Sequence, residues 1–257
     1  MGINSLFSIS FITQFLLIVL TLISYYYITK KVILKLSPSI AKIIPYHQYS
    51  VAEIVGTIEL TVTAITHVIF CVMLANLLHI NLISVFASTK LSDCFYAIFI
   101  GIGCVGISIL LCSVMIKLIA SRTSNQKLKS ANEWSAIAGA GWIRHHKHCI
   151  TVFPLLIGLM IISLQIGSEE TVFRSILIPY FASYGIYTAF AIATGLFILM
   201  QIFHMPNLLS AMFPMIGACV MGIVHGLLYL STQSILPLII SHLTFFVFTL
   251  IKMESRT

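Results

Sequence analysis

The sequence predicts an all-α fold, a polytopic transmembrane helical bundle of about seven crossings in seven or eight helices. Of 257 residues, 59% are hydrophobic and 8% are charged, against about 25% charged in soluble domains. Mean hydropathy is +1.07, and the apolar runs are about 20 residues long, unlike the ten-residue alternating segments of a membrane barrel. The net charge of +7 sits in short segments between those runs, where it reads as a topology signal and not as a nucleic-acid surface.

Each element follows from that pattern. Leu6 to Ile28 is the first span, and Tyr25, Tyr26 and Tyr27 at its end suit a membrane interface. Thr29 to Ser50, with four lysines and two prolines, reads as a cytoplasmic loop lying amphipathically on the membrane surface. Val51 to Ile80 is the second span and holds Glu53, Glu59 and His67. Phe95 to Ala120 is the third, with glycines at 101, 103 and 106 that permit close helix approach. Ser121 to Cys149 is a basic cytoplasmic loop. Ile150 to Phe181 reads as one crossing, broken near Gly167 and Ser168, with Ser168 as N-cap of a motif helix. Tyr184 to Phe203, Leu208 to Leu230 and Ile235 to Ile251 complete the set.

The positive-inside rule then works as a parity test. With Lys30 to Lys42, Arg122 to Lys147, Lys252 and Arg256 all cytoplasmic, the N-terminus is external and the C-terminus cytoplasmic. Only an odd number of crossings allows this. The chain divides into a three-span membrane region (1–120), the basic loop (121–149), a membrane domain (150–252) and a short cytoplasmic tail (253–257). The first apolar run follows no basic n-region, so no cleavable signal peptide is expected. Six cysteines lack CxxC or zinc-ligand spacing and predict no disulfide framework.

The chemistry concentrates in Gly167-Ser168-Glu169-Glu170-Thr171-Val172-Phe173-Arg174. On a helix Glu170 and Arg174 share a face, while Glu169 points about 100° away from Glu170. A carboxylate at membrane depth costs several kcal/mol unless paired, protonated or wet, and by default marks a functional site. His204 ends one span and His242 lies within the last. A lone membrane histidine is more often a helix–helix hydrogen bond than a catalyst. Two of them following an acid pair supply a means of activating water.

Glu169-Glu170-x-x-x-Arg174, then His204, then Gly222-x-x-x-Gly226-x-x-Tyr229 ahead of His242, resembles the CAAX-protease and bacteriocin-processing family of Abi-type intramembrane endopeptidases. The resemblance covers about residues 150 to 250. It implies Glu169 as water-activating base, Glu170 and Arg174 as its support, His204 as binding or activating the water, and His242 as stabilising the oxyanion. It also implies a peptide or lipidated-peptide substrate in a bacterial cytoplasmic membrane. The cofactor stays open between a divalent metal such as zinc, with His204 and His242 as ligands, and a metal-free glutamate mechanism.

The chain departs from the family pattern twice. Met200 stands where phenylalanine is usual, and Phe246 stands four residues after His242, where asparagine or another polar residue is usual. Losing one oxyanion donor costs on the order of 10² to 10³ in rate. Reduced activity, a substitute donor such as Thr244 or Thr249, or a non-proteolytic role in bacteriocin self-immunity or regulation all stay open. A transporter reading lacks paired interrupted helices. Arg144 to His148 reads as a solvated topology signal rather than a metal site, His225 as a helix–helix hydrogen bond, and Glu59 and His67 as facing the cavity or each other.

Overall fold

The computed structural model describes residues 9–44, 48–84, 89–122, 134, 137 and 142–254, the side chains of 142 and 250–254 excepted. The expected basic stretch around Lys127 and Lys129 and the charges of Lys252 and Arg256 fall outside the described side chains.

Helix α1 (Ile9–Ala41) is 33 residues long, about 50 Å at 1.5 Å per residue, so it outruns a hydrocarbon core of about 30 Å. The loop expected from Thr29 is therefore helix through Ala41. Ile33, Ser37 and Ala41 bury one stripe at helical spacing, and the Ser37 hydroxyl donates to Ile33 O at 2.8 Å. Pro38 forfeits one backbone donor without ending the helix. Helix α2 (Val51–Leu77) starts at a Ser50 capping box closed by Glu53. Helix α3 (Leu91–Arg122) follows, then the short α4 (Trp142–Val152).

Helix α5 (Leu155–Glu170) carries the acidic motif at its end, and no break occurs at Gly167. Ser168 caps nothing: its hydroxyl donates back to Leu164 O at 2.7 Å, so the chain is helical on both sides. The irregularity comes one turn later, as a π-helical turn over Thr171–Ile176 in which the Leu177 N–H reaches Val172 O. Helix α6 (Leu177–Phe181) and a 3-10 turn (Ala182–Tyr184) finish this crossing. Helix α7 (Ile186–Met200) leads into a 3-10 turn (Gln201–His204), then α8 (Leu208–Thr232) and α9 (Leu236–Glu254).

Among the described residues six helical segments are long and apolar enough to cross a membrane, and the apolar stretch Leu236–Thr249 of α9 adds a shorter one. Leu16, Leu17 and Leu20 on α1 and Phe99 and Leu110 on α3 stay exposed. Polar groups face inward instead: Glu169, Glu170, Arg174, His225 and His242 are buried. That inside-out distribution is what a bilayer selects. The protein is an all-α polytopic integral membrane protein.

Packing puts the site at the centre. Helix α2 contacts α1, α4 and α5, while α9 lies along α3 and against α5, and α8 along α7. The main core gathers Leu22 of α1, Phe173 and Ile176 of the π turn, Phe181, Phe197 and Leu238.

Candidate functional site

Glu170 is the hub of one buried cluster. Its Oε2 lies 3.3 Å from Arg174 Nε, one turn on. That is an ion pair, though not one aligned as a hydrogen bond. Its Oε1 accepts from His242 Nδ1 at 2.7 Å and from His225 Nδ1 at 3.0 Å. His225 Nε2 lies 2.9 Å from Ser241 Oγ, the neighbour of His242 on α9. Arg174 is 1% exposed, and its guanidinium lies over the Phe197 ring, 4.3 Å from the centroid. A buried charge needs such partners, because removing one leaves the other stranded.

Glu169 serves a second cluster. Gln165 Nε2, one turn earlier on α5, donates to Glu169 Oε1 at 2.6 Å. Cys71 of α2 donates to Ser168 O at 3.2 Å, which fixes the α2 face carrying His67 against this end of α5. Tyr26 hydrogen-bonds His67 Nε2 at 3.0 Å and meets the His204 ring edge-on, centroids 5.2 Å apart. Of the three tyrosines expected at the interface, Tyr27 is exposed, Tyr25 stacks on Phe70 at 4.0 Å and Tyr26 is 4% exposed. Tyr26 is thus a core residue of the site and no interfacial anchor.

The five residues singled out by sequence are distributed between these clusters. Glu170, Arg174 and His242 are joined in the first. Glu169 accepts from Gln165, His204 meets Tyr26, and His242 bonds Glu170 rather than Glu169. His225, read from sequence as a helix–helix hydrogen bond, makes one to Glu170 itself. Glu169 retains 4% exposure and Glu170 none, so both acids are enclosed by the bundle.

Helix α4 also differs from expectation. His146 is fully buried and stacks on Phe246 at 4.4 Å, and Phe246 stacks on His242 at 5.3 Å. His145 Nε2 lies 3.1 Å from Glu59 Oε2, so Glu59 pairs across to α4 and not with His67. Burial, with His146, Arg144 and His148 adding to it, pushes His145 down to about 3. A neutral imidazole therefore faces Glu59 there, and the contact is not an ion pair. These histidines are no solvated loop: the helix is amphipathic, and its apolar face takes the imidazoles with it onto α2 and α9.

The donor set permits one test for a metal. Atoms of Glu170, His225 and His242 lie within 4.8 Å of one another, and His204 is not among them. Two of the three gaps, 2.7 and 3.0 Å, are shorter than the roughly 3.3 Å between ligands around a tetrahedral zinc at about 2.0 Å. Both imidazoles present Nδ1 to the same carboxylate oxygen, and Arg174 already balances its charge. This is the donor chemistry of a hydrogen-bonded hub. The ligand pair expected from sequence, His204 with His242, is not the set that the structure gathers.

Gln165, Tyr26 and the α4 histidines were not found by sequence reasoning. Gln165 had a signal, a lone amide one turn before Glu169 in an apolar run. Tyr26 and His146 had none beyond their tertiary neighbours.

A bundle that buries two carboxylates, a guanidinium and paired imidazoles at membrane depth marks this cluster as the candidate functional site. Residues 151–248 match the family described as type II CAAX prenyl endopeptidase Rce1-like, so over this part of its length the chain is similar to that family. Helices α1 to α3 lie outside the match. No curated protein and no solved structure matches the chain.

Proposed function

We propose that the protein is an intramembrane endopeptidase that hydrolyses a peptide bond near the membrane surface, in a lipidated peptide or in a bacteriocin or signal-peptide precursor. The observation that carries this reading is the division of labour between adjacent acids. Glu170 is committed to Arg174 and two imidazoles, while Glu169 accepts from Gln165 instead.

Water enters between Glu169 and His204 when the closed cluster opens. Glu169 accepts a proton from it, His204 orients it, and the resulting hydroxide attacks the scissile carbonyl carbon. The proton held by Glu169 then passes to the leaving amine as the C–N bond breaks. With Nδ1 tied to Glu170, His242 takes up a proton on Nε2 only as the oxyanion develops and donates it there as a hydrogen bond. No step requires a metal. The external N-terminus and cytoplasmic C-terminus implied by the basic loops place the α4 end of the site at the cytoplasmic face.

Glu169→Gln keeps the shape and the Gln165 contact while removing the base. Cleavage of a farnesylated CAAX-type peptide by the purified protein should fall to background at unchanged protein level, and wild-type cleavage should survive chelators. Persistence of cleavage in Glu169→Gln would refute the mechanism. One observation favours a second reading, a non-proteolytic role in self-immunity or regulation: Phe246 stacks on His242 in place of a polar side chain. A membrane phenotype that survives Glu169→Gln would decide for it.

A further inference from the structure

The family resemblance expects a polar side chain at position 246, and α9 carries phenylalanine there. Phe246 cannot donate, and the two hydroxyls near it are spent on their own helix. Thr244 Oγ1 donates to Ile240 O and Thr249 Oγ1 to Phe245 O, each at 2.8 Å. An oxyanion needs donors already aimed at it. In this chain a further donor has to come from another helix.

Tyr26 is placed to supply it. Its ring stands edge-on to His204 at 83°. Four residues on, Lys30 Nζ donates to Met205 O at 3.1 Å. Two successive turns of one α1 face therefore hold the segment that carries His204.

The hydroxyl makes one hydrogen bond among the described residues, to His67 Nε2 at 3.0 Å, and its direction matters. His67 is fully buried and its Nδ1 has no partner. Were Tyr26 the donor, Nδ1 would carry a buried proton with no acceptor. With Nε2–H donating to Tyr26, Nδ1 holds only a bare lone pair. Orphaned buried N–H groups are the rarer defect. The favoured tautomer thus leaves the tyrosine O–H available to a third group.

Resting on the endopeptidase reading above, we propose that Tyr26 is a further catalytic residue. Its hydroxyl, oriented by His67, donates a hydrogen bond to the scissile carbonyl oxygen as negative charge builds there, doing from α1 what no side chain at 246 does. Tyr26 keeps its proton throughout and forms no covalent bond. The site is then incomplete without a helix outside the family-matched segment.

The test has two arms on the full-length protein in detergent. Tyr26→Phe keeps the ring against His204 and removes the O–H; kcat on a farnesylated CAAX-type peptide should fall by about 10² to 10³, with KM changed less than about twofold. Tyr25→Phe should leave both unchanged. The second arm needs no substrate: ¹⁵N NMR of histidine-labelled protein, with the His67 signals assigned through His67→Gln, should show Nε2 protonated and Nδ1 bare. A protonated Nδ1 with bare Nε2 overturns the proposal whether or not the protein cleaves peptides, because the hydroxyl is then spent on His67. Unchanged kcat in Tyr26→Phe, where cleavage depends on Glu169, overturns it as well. Absence of any Glu169-dependent cleavage alongside the expected tautomer defeats the endopeptidase reading first, and the donor role with it.

Discussion

Gly101→Ala should disable the site from a helix that contributes no chemistry to it. Gly101 on α3 faces α9 where α9 carries Ser241 and His242. A methyl group there would lie 2.8 Å from Thr244 Cβ, and the Ser241 carbonyl oxygen would be nearer still. Ordinary contact begins near 3.4 Å, so α9 must retreat by more than about half an ångström, and the obstacle is backbone that cannot rotate away. The His242–Glu170 bond of 2.7 Å would stretch past good hydrogen-bond length. Overpacking of this kind costs about 1–3 kcal/mol of stability, and an ångström-scale misplacement of a catalytic group costs on the order of 10²-fold in rate. Gly103→Ala is the matched control, since nothing lies within 4 Å of its added methyl. Thermal melting and peptide cleavage in one detergent preparation would report both quantities. Wild-type melting and cleavage in Gly101→Ala would refute the claim that the α3–α9 contact sets the position of His242.

Arg174→Met should leave Glu170 as an uncompensated buried charge and destabilise the protein by about 3–5 kcal/mol, read as a lower melting temperature. Glu170→Gln added to Arg174→Met should recover much of that loss, and failure to recover would mean that the cost lies in packing against Phe197. The docking of α4 should weaken in acid. His145 ordinarily titrates near 6.5 and is held at about 3, so docking is undiminished above pH 6.5 and weakens between about 6.5 and 3, where released α4 takes up a proton that docked α4 refuses. The slope is about 1.4 kcal/mol per pH unit, or about 2 kcal/mol at pH 5. His145→Gln should flatten this part of the melting-temperature profile, and an unaltered profile would sink the assignment.

How far the sequence reaches can be judged residue by residue. The helical class and apolar spans are composition and run length, which no tertiary contact can reverse. Glu170 and Arg174 meet because they are four apart on one helix, a local fact. His242 choosing Glu170 over Glu169 is not local: it depends on how α9 lies against α5, which no periodicity states. Tyr26 looked interfacial because tyrosines at a span end usually are, and only the burial of its α1 face against α2 and the His204 turn makes it otherwise. The missed helix from Thr29 to Ala41 has a different cause. Lysines and a proline suggested a loop, but a stripe at 33, 37 and 41 was enough to keep the chain helical beyond the bilayer.

The π turn at Thr171–Ile176 bears on how this chain is compared with others. A wide turn holds one residue more than the α turn it replaces, so the acidic motif and the Leu177–Phe181 segment belong to two helical registers offset by about 100°. An ungapped alignment with a straight helix would match one side and rotate the other onto the wrong face. Deleting a single residue between 171 and 176 would restore a regular helix and swing Phe181 and the α6 core residues away from their neighbours. In this crossing the residue count, more than the residue identity, keeps the two carboxylates and the packed end of the helix facing their separate partners.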